Sequence, residues 1–519
     1  MLISFMIVLT SLSGFLRYRV LAGYFNKDQL DVFFAAFRIP DLIYEILITG
    51  AITSTFIPIY LQYKNDHKDL TENISSIINL ILLLLIVFIF VVYLFIDRVM
   101  PVLTPGYSKE KMDQIIIFSR ILLVGQLPFF VLGNFLTGIG QANKTFFLSA
   151  LAPVLYNLTT IVFTVLFSQK LGLTAPVWGI VLGAFLLFLV QIPLIFKSGF
   201  SFEFIIKKTR GLKDFFRLAG PRAFTVVVAQ IDATIDLTLA TLLGSGAYTV
   251  FYFAQHLQLL PVSVIGIAFG QASLPYLSEI YQEKRFDEFA KIITDSLLNL
   301  FFMILPMAIF FIFARTPLIR LFFGGEKFDW EATVQTAITL SYFAVALPFH
   351  TIYYLLTRCF YSMMDSKTPF YVSASSIAIN TILSLTFVFL LHLPIWSLAI
   401  SFSVAMTINS LVLFFILTKK VHGFNFSLIV AELAKMAFAA SISAVVSYGT
   451  MKLLDGLIFQ TSYTINVFLL LAVTFSLFIG LYLFIGWLID IKEIYLVGRL
   501  LVKAKEYQKK FTELYVQYE

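Results

Sequence analysis

Seven basic side chains lie in or close to long apolar stretches of this sequence: Arg17, Arg19, Arg38, Arg120, Arg217, Arg222 and Lys435. A charge at mid-helix in hydrocarbon costs on the order of 2.5 to 3.5 kcal/mol, so each must face water, a partner or a ligand. Arg17 is the most informative, because its helix runs on to about Tyr24 and leaves it roughly 10 Å from that end at 1.5 Å per residue. Arg19 is shallower and long enough to snorkel. Acidic groups accompany them: Asp31, Asp41, Glu45, Asp232, Asp236 and Glu432. Glu432 and Lys435 are three apart and read as a structural pair. Asp232 and Asp236 are four apart, so both carboxylates point the same way, toward a cation, a proton or Arg222. With Asn380 they form the candidate ion-coupling set, for Na+ or H+; the rival reading is a structural pairing with Arg222. A single cysteine, Cys359, and five histidines without HxxxH or CxxC spacing lead us to expect no disulfide, no metal site and no cofactor.

The elements that must position these groups follow from composition. Of 519 residues, 59% are hydrophobic and 13% charged, with 58 Phe and a mean hydropathy of +0.91; soluble domains run near 45 to 50% and about 25%. Apolar stretches continue unbroken for about twenty residues, as from Ile77 to Ile96, where a β-barrel would alternate. The expected fold class is an all-α integral membrane protein with about 14 transmembrane helices, from spans near 3–24 and 30–61, through 214–240, to 464–489. Without a basic n-region, the first stretch reads as a retained helix. The net charge of +7 sits in short loops, so nucleic acid is not an expected partner. Alternate loops hold about 21 Lys and Arg on the N-terminal side and about nine on the other, which places both termini in the cytoplasm. The tail, 491–519, with Lys503, Lys505, Lys509 and Lys510 among apolar residues, is expected to be a cytoplasmic basic segment near the inner leaflet.

An internal repeat sets the architecture. Lys144, Thr145, Phe147 and Asn157 recur as Lys367, Thr368, Phe370 and Asn380 at one constant offset, and Phe34–Ala35 recurs as Phe253–Ala254, each followed by a proline. Six spans per copy insert both copies in the same orientation, giving two six-helix lobes in a parallel pseudo-twofold repeat around a cavity, plus two C-terminal helices. The expected divisions are 1–200 and 201–425 for the lobes, 426–490 for the appended helices and 491–519 for the tail. Pro40, Pro58, Pro261 and Pro275 interrupt spans 2 and 8 at matching places.

Ordered motifs then carry a resemblance. Gly14-Phe15-Leu16-Arg17, Asp31 through Arg38-Ile39-Pro40, Gly50-Ala51 and Phe56-Ile57-Pro58 resemble the N-terminal signature of the MurJ (MviN) family of lipid II flippases. Gly220-Pro221, Ala254 through Pro261 to Gly266, Leu274-Pro275, and Phe360-Tyr361-Ser362 with Asp365 and Lys367-Thr368-Pro369 continue it through the chain. The resemblance implies the multidrug/oligosaccharidyl-lipid/polysaccharide exporter superfamily, with the last two helices forming a groove for the polyprenyl tail. It also implies cavity arginines in spans 1, 2 and 8, of which only one, Arg17, is present here: the other positions are Ser11, Tyr44 and His256. Tyr18 and Thr49 replace family acids, while Asp31 and Arg38 are retained. The implied substrate-binding set is therefore Arg17, Arg19, Asp31, Arg38, Arg222 and His256.

The function these features imply is a flippase, not an enzyme: translocation of lipid II, the lipid-linked peptidoglycan precursor, from the inner to the outer leaflet of the bacterial cytoplasmic membrane by alternating access, as a monomer, helped by the membrane potential. Alternatives are a flippase for another polyprenyl-diphosphate oligosaccharide, a cation-coupled drug exporter of the same superfamily, and an inactive scaffold. A membrane glycosyltransferase would need a large carboxylate-rich loop, and the longest loops, Lys197 to Lys213 and Asp97 to Met112, are too short.

Overall fold

The computed structural model describes residues 2–48, 53–460, 463–495 and 498; Thr49, Gly50, Ala51 and most of the expected tail lie outside them. Every regular element among the described residues is a helix. The first twelve are α1 (Leu2–Tyr24), α2 (Lys27–Ala36), α3 (Arg38–Leu47), α4 (Thr53–Tyr63), α5 (His67–Leu103), α6 (Lys109–Gly125), α7 (Leu127–Ala142), α8 (Phe147–Leu171), α9 (Thr174–Leu189), α10 (Pro193–Ser198), α11 (Arg210–Leu242) and α12 (Ala247–Pro261). There follow α13 (Ala268–Gln282), α14 (Phe286–Phe313), α15 (Arg315–Phe323), α16 (Trp330–Ser362), α17 (Lys367–Leu385), α18 (Trp396–Lys420), α19 (Phe426–Leu457) and α20 (Thr464–Leu488). Eleven helical segments among the described residues are long and apolar enough to cross a bilayer. The three expected spans outside that set, 3–24, 30–61 and 214–240, correspond to α1, to α2 through α4, and to α11. The chain is a multi-pass helical membrane protein.

Proline chemistry explains the interruptions. The expected span 30–61 is not one helix, because α2 stops at Ala36 and α3 restarts at Arg38. Pro40 has no N–H to give the carbonyl of Ala36, and its ring crowds that carbonyl, so the helix turns over Phe37 instead. Pro261 acts similarly: α12 ends on it and the chain widens into a π-helical segment, Val262–Ile267, before α13.

The chain divides into two compact units. The first is Met1–Phe253 with Phe322–Gln335 and Thr381–Leu398; the second is Ala254–Leu321 with Thr336–Asn380 and Ala399–Glu519. In the first, α1 and α9 both pack on α8. Glycines permit the α8–α9 approach: a Cβ on Gly183 would sit 2.9 Å from the Tyr156 carbonyl oxygen, and one on Gly179 would sit 3.0 Å from the Thr160 Cα. Without a hydrophobic drive between helices in lipid, close backbone packing of this kind is what joins them.

In the second unit, Leu277, Phe289, Leu300, Leu355, Phe360 and Leu413 form a core shared by α13, α14, α16 and α18. Helices α19 and α20 pack on α14 through Met436, Ala439, Tyr482 and Phe302, where the Tyr482 hydroxyl donates to the Phe302 carbonyl at 3.2 Å. Lys435 pairs with Glu432 at 3.0 Å, the structural pairing expected for them. At the mouth of α17, Asp365 accepts from the Thr368 amide at 3.0 Å and hydroxyl at 2.6 Å, and pairs with Lys420. Burial works to raise the Asp365 pKa, but Lys420 and the two Thr368 bonds together bring it down to about 2. A carboxyl held below its unfolded value stabilises the fold fully above that value, near pH 4, and the contribution fades as pH falls toward 2. Asp365→Asn is therefore expected to melt below wild type at about pH 6, with the gap closing between about pH 4 and 2; a gap independent of pH in detergent-solubilised protein would refute the assignment.

Candidate functional site

Arg17 opens on a cavity of about 460 Å³ inside the first unit. Thr10, Gly14 and Arg17 follow the i, i+4, i+7 rule, so one face of α1 forms one wall. Tyr44 from α3, Asn134 and Thr137 from α7, Tyr156 and Asn157 from α8, and Gln191 just beyond α9 complete it. The guanidinium carbon lies 4.9 Å from the Tyr18 ring centroid and 5.4 Å from that of Tyr156, a cation–π arrangement that stabilises charge without a counter-ion. Its Nε is buried and has no hydrogen-bond partner.

No carboxylate lines this cavity. Its neutral polar groups hold one another: Asn134 donates to the Tyr44 hydroxyl at 3.2 Å, Thr137 to Gln191 at 2.8 Å, and Asn157 to the Ser13 hydroxyl at 2.9 Å. A fixed cation, aromatic faces and amide dipoles form the lining, with Asp41 outside it acting on Arg17 and Tyr156 electrostatically, so the chamber itself favours an anion over a cation.

Arg19, two residues on and so near the opposite side of α1, lines a different cavity of about 740 Å³. Arg38 reaches neither. Its guanidinium donates to the Gln230 carbonyl at 2.7 Å, to Gln230 Oε1 at 2.8 Å, and to Thr234 Oγ1 at 2.8 and 3.1 Å. Asp41, Asp236 and Glu45 are its charged neighbours. Asp236 is buried with Oδ1 lacking a partner, and Asp232 acts on it electrostatically, as their four-residue spacing requires. The structure thus brings Arg38 and Asp236 together, with Asp232 beside Asp236, while Asp41 acts on both Arg38 and Arg17. Arg222 lies on α11, but its side chain is outside the described residues.

Asp31 is fully buried and lines neither cavity. Its carboxylate accepts the Gly246 and Thr249 amides at 2.7 Å each and the Thr249 hydroxyl at 2.7 Å, while that hydroxyl also reaches the Lys27 carbonyl at 2.9 Å. In place of the substrate contact expected of it, Asp31 ties α2 to the first turn of α12, where unpaired amides and the helix dipole favour an anion. Lys111, bonded to Asp28 and to the Ser245 hydroxyl at 2.8 Å, and Lys27, 3.2 Å from Glu331, reinforce the same junction.

The second unit holds His256, half-buried on α12, and Asn380, buried on α17. It also holds a group the sequence reading passed over: His350, buried on α16, with its Nδ1 3.1 Å from Gln258 Nε2. Also missed were the uncharged walls of the Arg17 cavity, Tyr156, Asn134, Thr137 and Gln191. Their signal was available as polar side chains interrupting apolar runs, with Asn157 marked by the repeat, but which face each presents depends on helix packing.

Comparison with known proteins accords with this geometry. A family model described as lipid II flippase MurJ matches residues 22–472. A lipid II flippase MurJ of Burkholderia cenocepacia is 27% identical over 424 residues, covering 80% of this chain and 82% of its own, and a probable lipid II flippase MurJ of Bdellovibrio bacteriovorus is 28% identical over 439 residues, covering 82% and 83%. A solved lipid II flippase MurJ in an inward closed conformation superposes with a TM-score of 0.77 at 25% identity, covering 94% of this chain and 98% of that one. An inward-facing multidrug resistance MATE transporter of the MOP superfamily shares the fold, with a TM-score of 0.70 at 15% identity over 79% of this chain and 94% of that one.

The Asp31 junction yields a stability prediction. Asparagine there turns one acceptor toward donors as a competing N–H, so Asp31→Asn is expected to destabilise by about 1 to 3 kcal/mol, and Thr249→Val by less. Thermal melting in detergent checks the order; a silent Asp31→Asn would remove the tie from the account.

Proposed function

The chain belongs to the MurJ family of lipid II flippases, and from that membership we propose that it moves lipid II from the inner to the outer leaflet of the bacterial cytoplasmic membrane. The physical problem is set by the ligand. A polyprenyl chain cannot leave hydrocarbon cheaply, and a diphosphate bearing a sugar-peptide head cannot enter it. A carrier solves both by leaving the tail in lipid and lending the head a hydrated, cationic chamber.

The observation that carries this reading is the acid-free Arg17 cavity, with its buried Nε lacking a partner. A diphosphate oxygen supplies the acceptor that Nε lacks, and Tyr18 and Tyr156 hold the guanidinium flat for it. A drug exporter drawing in organic cations would want carboxylates there, and the lining has none.

Alternating access then needs a junction that breaks and re-forms. In this reading both termini lie in the cytoplasm, the contacts of Asp31, Lys111 and Lys27 lie toward the extracytoplasmic side, and the protein works as a monomer. The polyprenyl tail runs along α19 and α20. Outward movement of an anion is favoured by an inside-negative potential, by about 2.3 kcal/mol per charge per 100 mV. Asp232 and Asp236 take up Na+ or H+ to reset the empty carrier.

The direct test follows lipid II between leaflets in proteoliposomes. Arg17→Gln is expected to slow transfer between about tenfold and a hundredfold, the loss of one charge-assisted bond at a buried site, and to fail to rescue cells depleted of their own flippase. Transfer at the wild-type rate in Arg17→Gln would take the diphosphate out of this cavity.

A further inference from the structure

The second cavity has a composition of its own. At the end of α1, Arg19 shares it with Ser168 and Gln169 from the last turn of α8, and with Gly324, Gly325, Glu326 and Lys327 from the loop before α16. The loop is pinned there by backbone contact: a Cβ on Gly325 would lie 2.6 Å from the Gly23 Cα. Lys327 makes no ion pair among the described residues, so two cations face one carboxylate, with a hydroxyl and an amide between them.

Below this polar mouth the wall turns apolar and stays exposed. On α1, Leu12 and Leu16 are 61% and 48% exposed, and Leu16 lines the cavity itself. On the adjoining α8, Leu158, Val162, Val165 and Leu166 are all exposed and continue, at i, i+4, i+7 and i+8, to Gln169 in the mouth. From Leu158 to Gln169 the α8 stripe runs about 16 Å at 1.5 Å per residue, with the shorter α1 stripe on the adjoining helix. That is close to half the roughly 30 Å hydrocarbon core, the depth of one leaflet.

A basic mouth over a leaflet-deep apolar furrow has the chemistry of an anionic amphiphile. We propose that this cavity holds the phosphate of an anionic glycerophospholipid between Arg19 and Lys327, with an acyl chain along α1 and α8. This lipid is a resident ligand, distinct from the transported one, and only its assignment to the outer leaflet rests on the orientation proposed above. Because α1 separates the two cavities, lipid here holds the outer end of the helix whose other face carries Arg17.

Native mass spectrometry of the delipidated full chain, titrated with phosphatidylglycerol or phosphatidylcholine, tests this. Wild type is expected to retain phosphatidylglycerol preferentially, and Arg19→Gln and Lys327→Gln each to reduce that preference roughly fivefold, near the effect of one basic residue at an anionic membrane surface. Lys170→Gln, an exposed cation outside the cavity, and Arg17→Gln should keep it, so failure of the transport reading and failure of this one remain distinguishable. Equal retention of the two lipids by wild type, an undiminished preference in the Arg19→Gln, Lys327→Gln double variant, or its loss in Arg17→Gln would overturn the proposal. So would complete displacement of the lipid by inorganic phosphate at equal concentration, which would make the site a free-phosphate site.

Discussion

An arginine inside an apolar helix bundle must account for every one of its donors, and the rest of this molecule is arranged around how each one does. Arg38 is spent: its donors end on Gln230 and Thr234, with acids close by. Arg120 has an unpartnered Nε too, but it is paired with Asp97 at 2.6 Å, and Lys435 is paired with Glu432. Arg17 differs in making no ion pair among the described residues. Tyr18 and Tyr156 stabilise its charge through ring faces and hydroxyls, yet no carboxylate pairs with it and Nε has no acceptor. A cation held in place without being neutralised is the condition for binding an anion reversibly, since a full ion pair would have to be broken first.

Holding that cation requires backbone geometry as much as side chains. Tyr156 stands where it does because Gly183 lets α9 approach within contact of its carbonyl. Tyr44 reaches the same cavity because Pro40 breaks the second span and redirects α3. The same break separates Asp31, which caps α12, from Arg38, which binds α11, so one interrupted span serves two junctions with different jobs. In lipid, where burying a methyl group gains little, these close approaches and saturated polar contacts carry the specificity of packing.

This division of labour explains what could be read from the residues alone. Spans, helical class and membership in the flippase family were legible because apolar runs, prolines and ordered motifs are local signals. Arg17 stood out on depth, and Asp232 with Asp236 on spacing. The roles of Arg38 and Asp31 were not legible: a retained charge reads identically whether it meets a ligand or a helix end, and the difference lies in Gln230, Thr234, Gly246 and Thr249, some two hundred residues away. Tyr156, Asn134 and Gln191 escaped for a related reason, because an uncharged polar residue in a span costs little enough to be unremarkable until its face is known.

The separation of the acids from the Arg17 cavity has its own logic. Two like charges 4 Å apart at an effective dielectric of 20 repel by about 4 kcal/mol, so a carboxylate beside a bound diphosphate would cancel most of what one arginine contributes. A carrier that both admits an anion and responds to a cation must therefore keep the two sites apart and join them through helices. Here Asp236, with Asp232 beside it, faces Arg38 on α3, and α3 also carries Tyr44 into the wall of the Arg17 cavity. The break falls at Phe37, before Arg38, so Arg38 and Tyr44 ride on one short helix, the first toward the acids and the second toward the cavity.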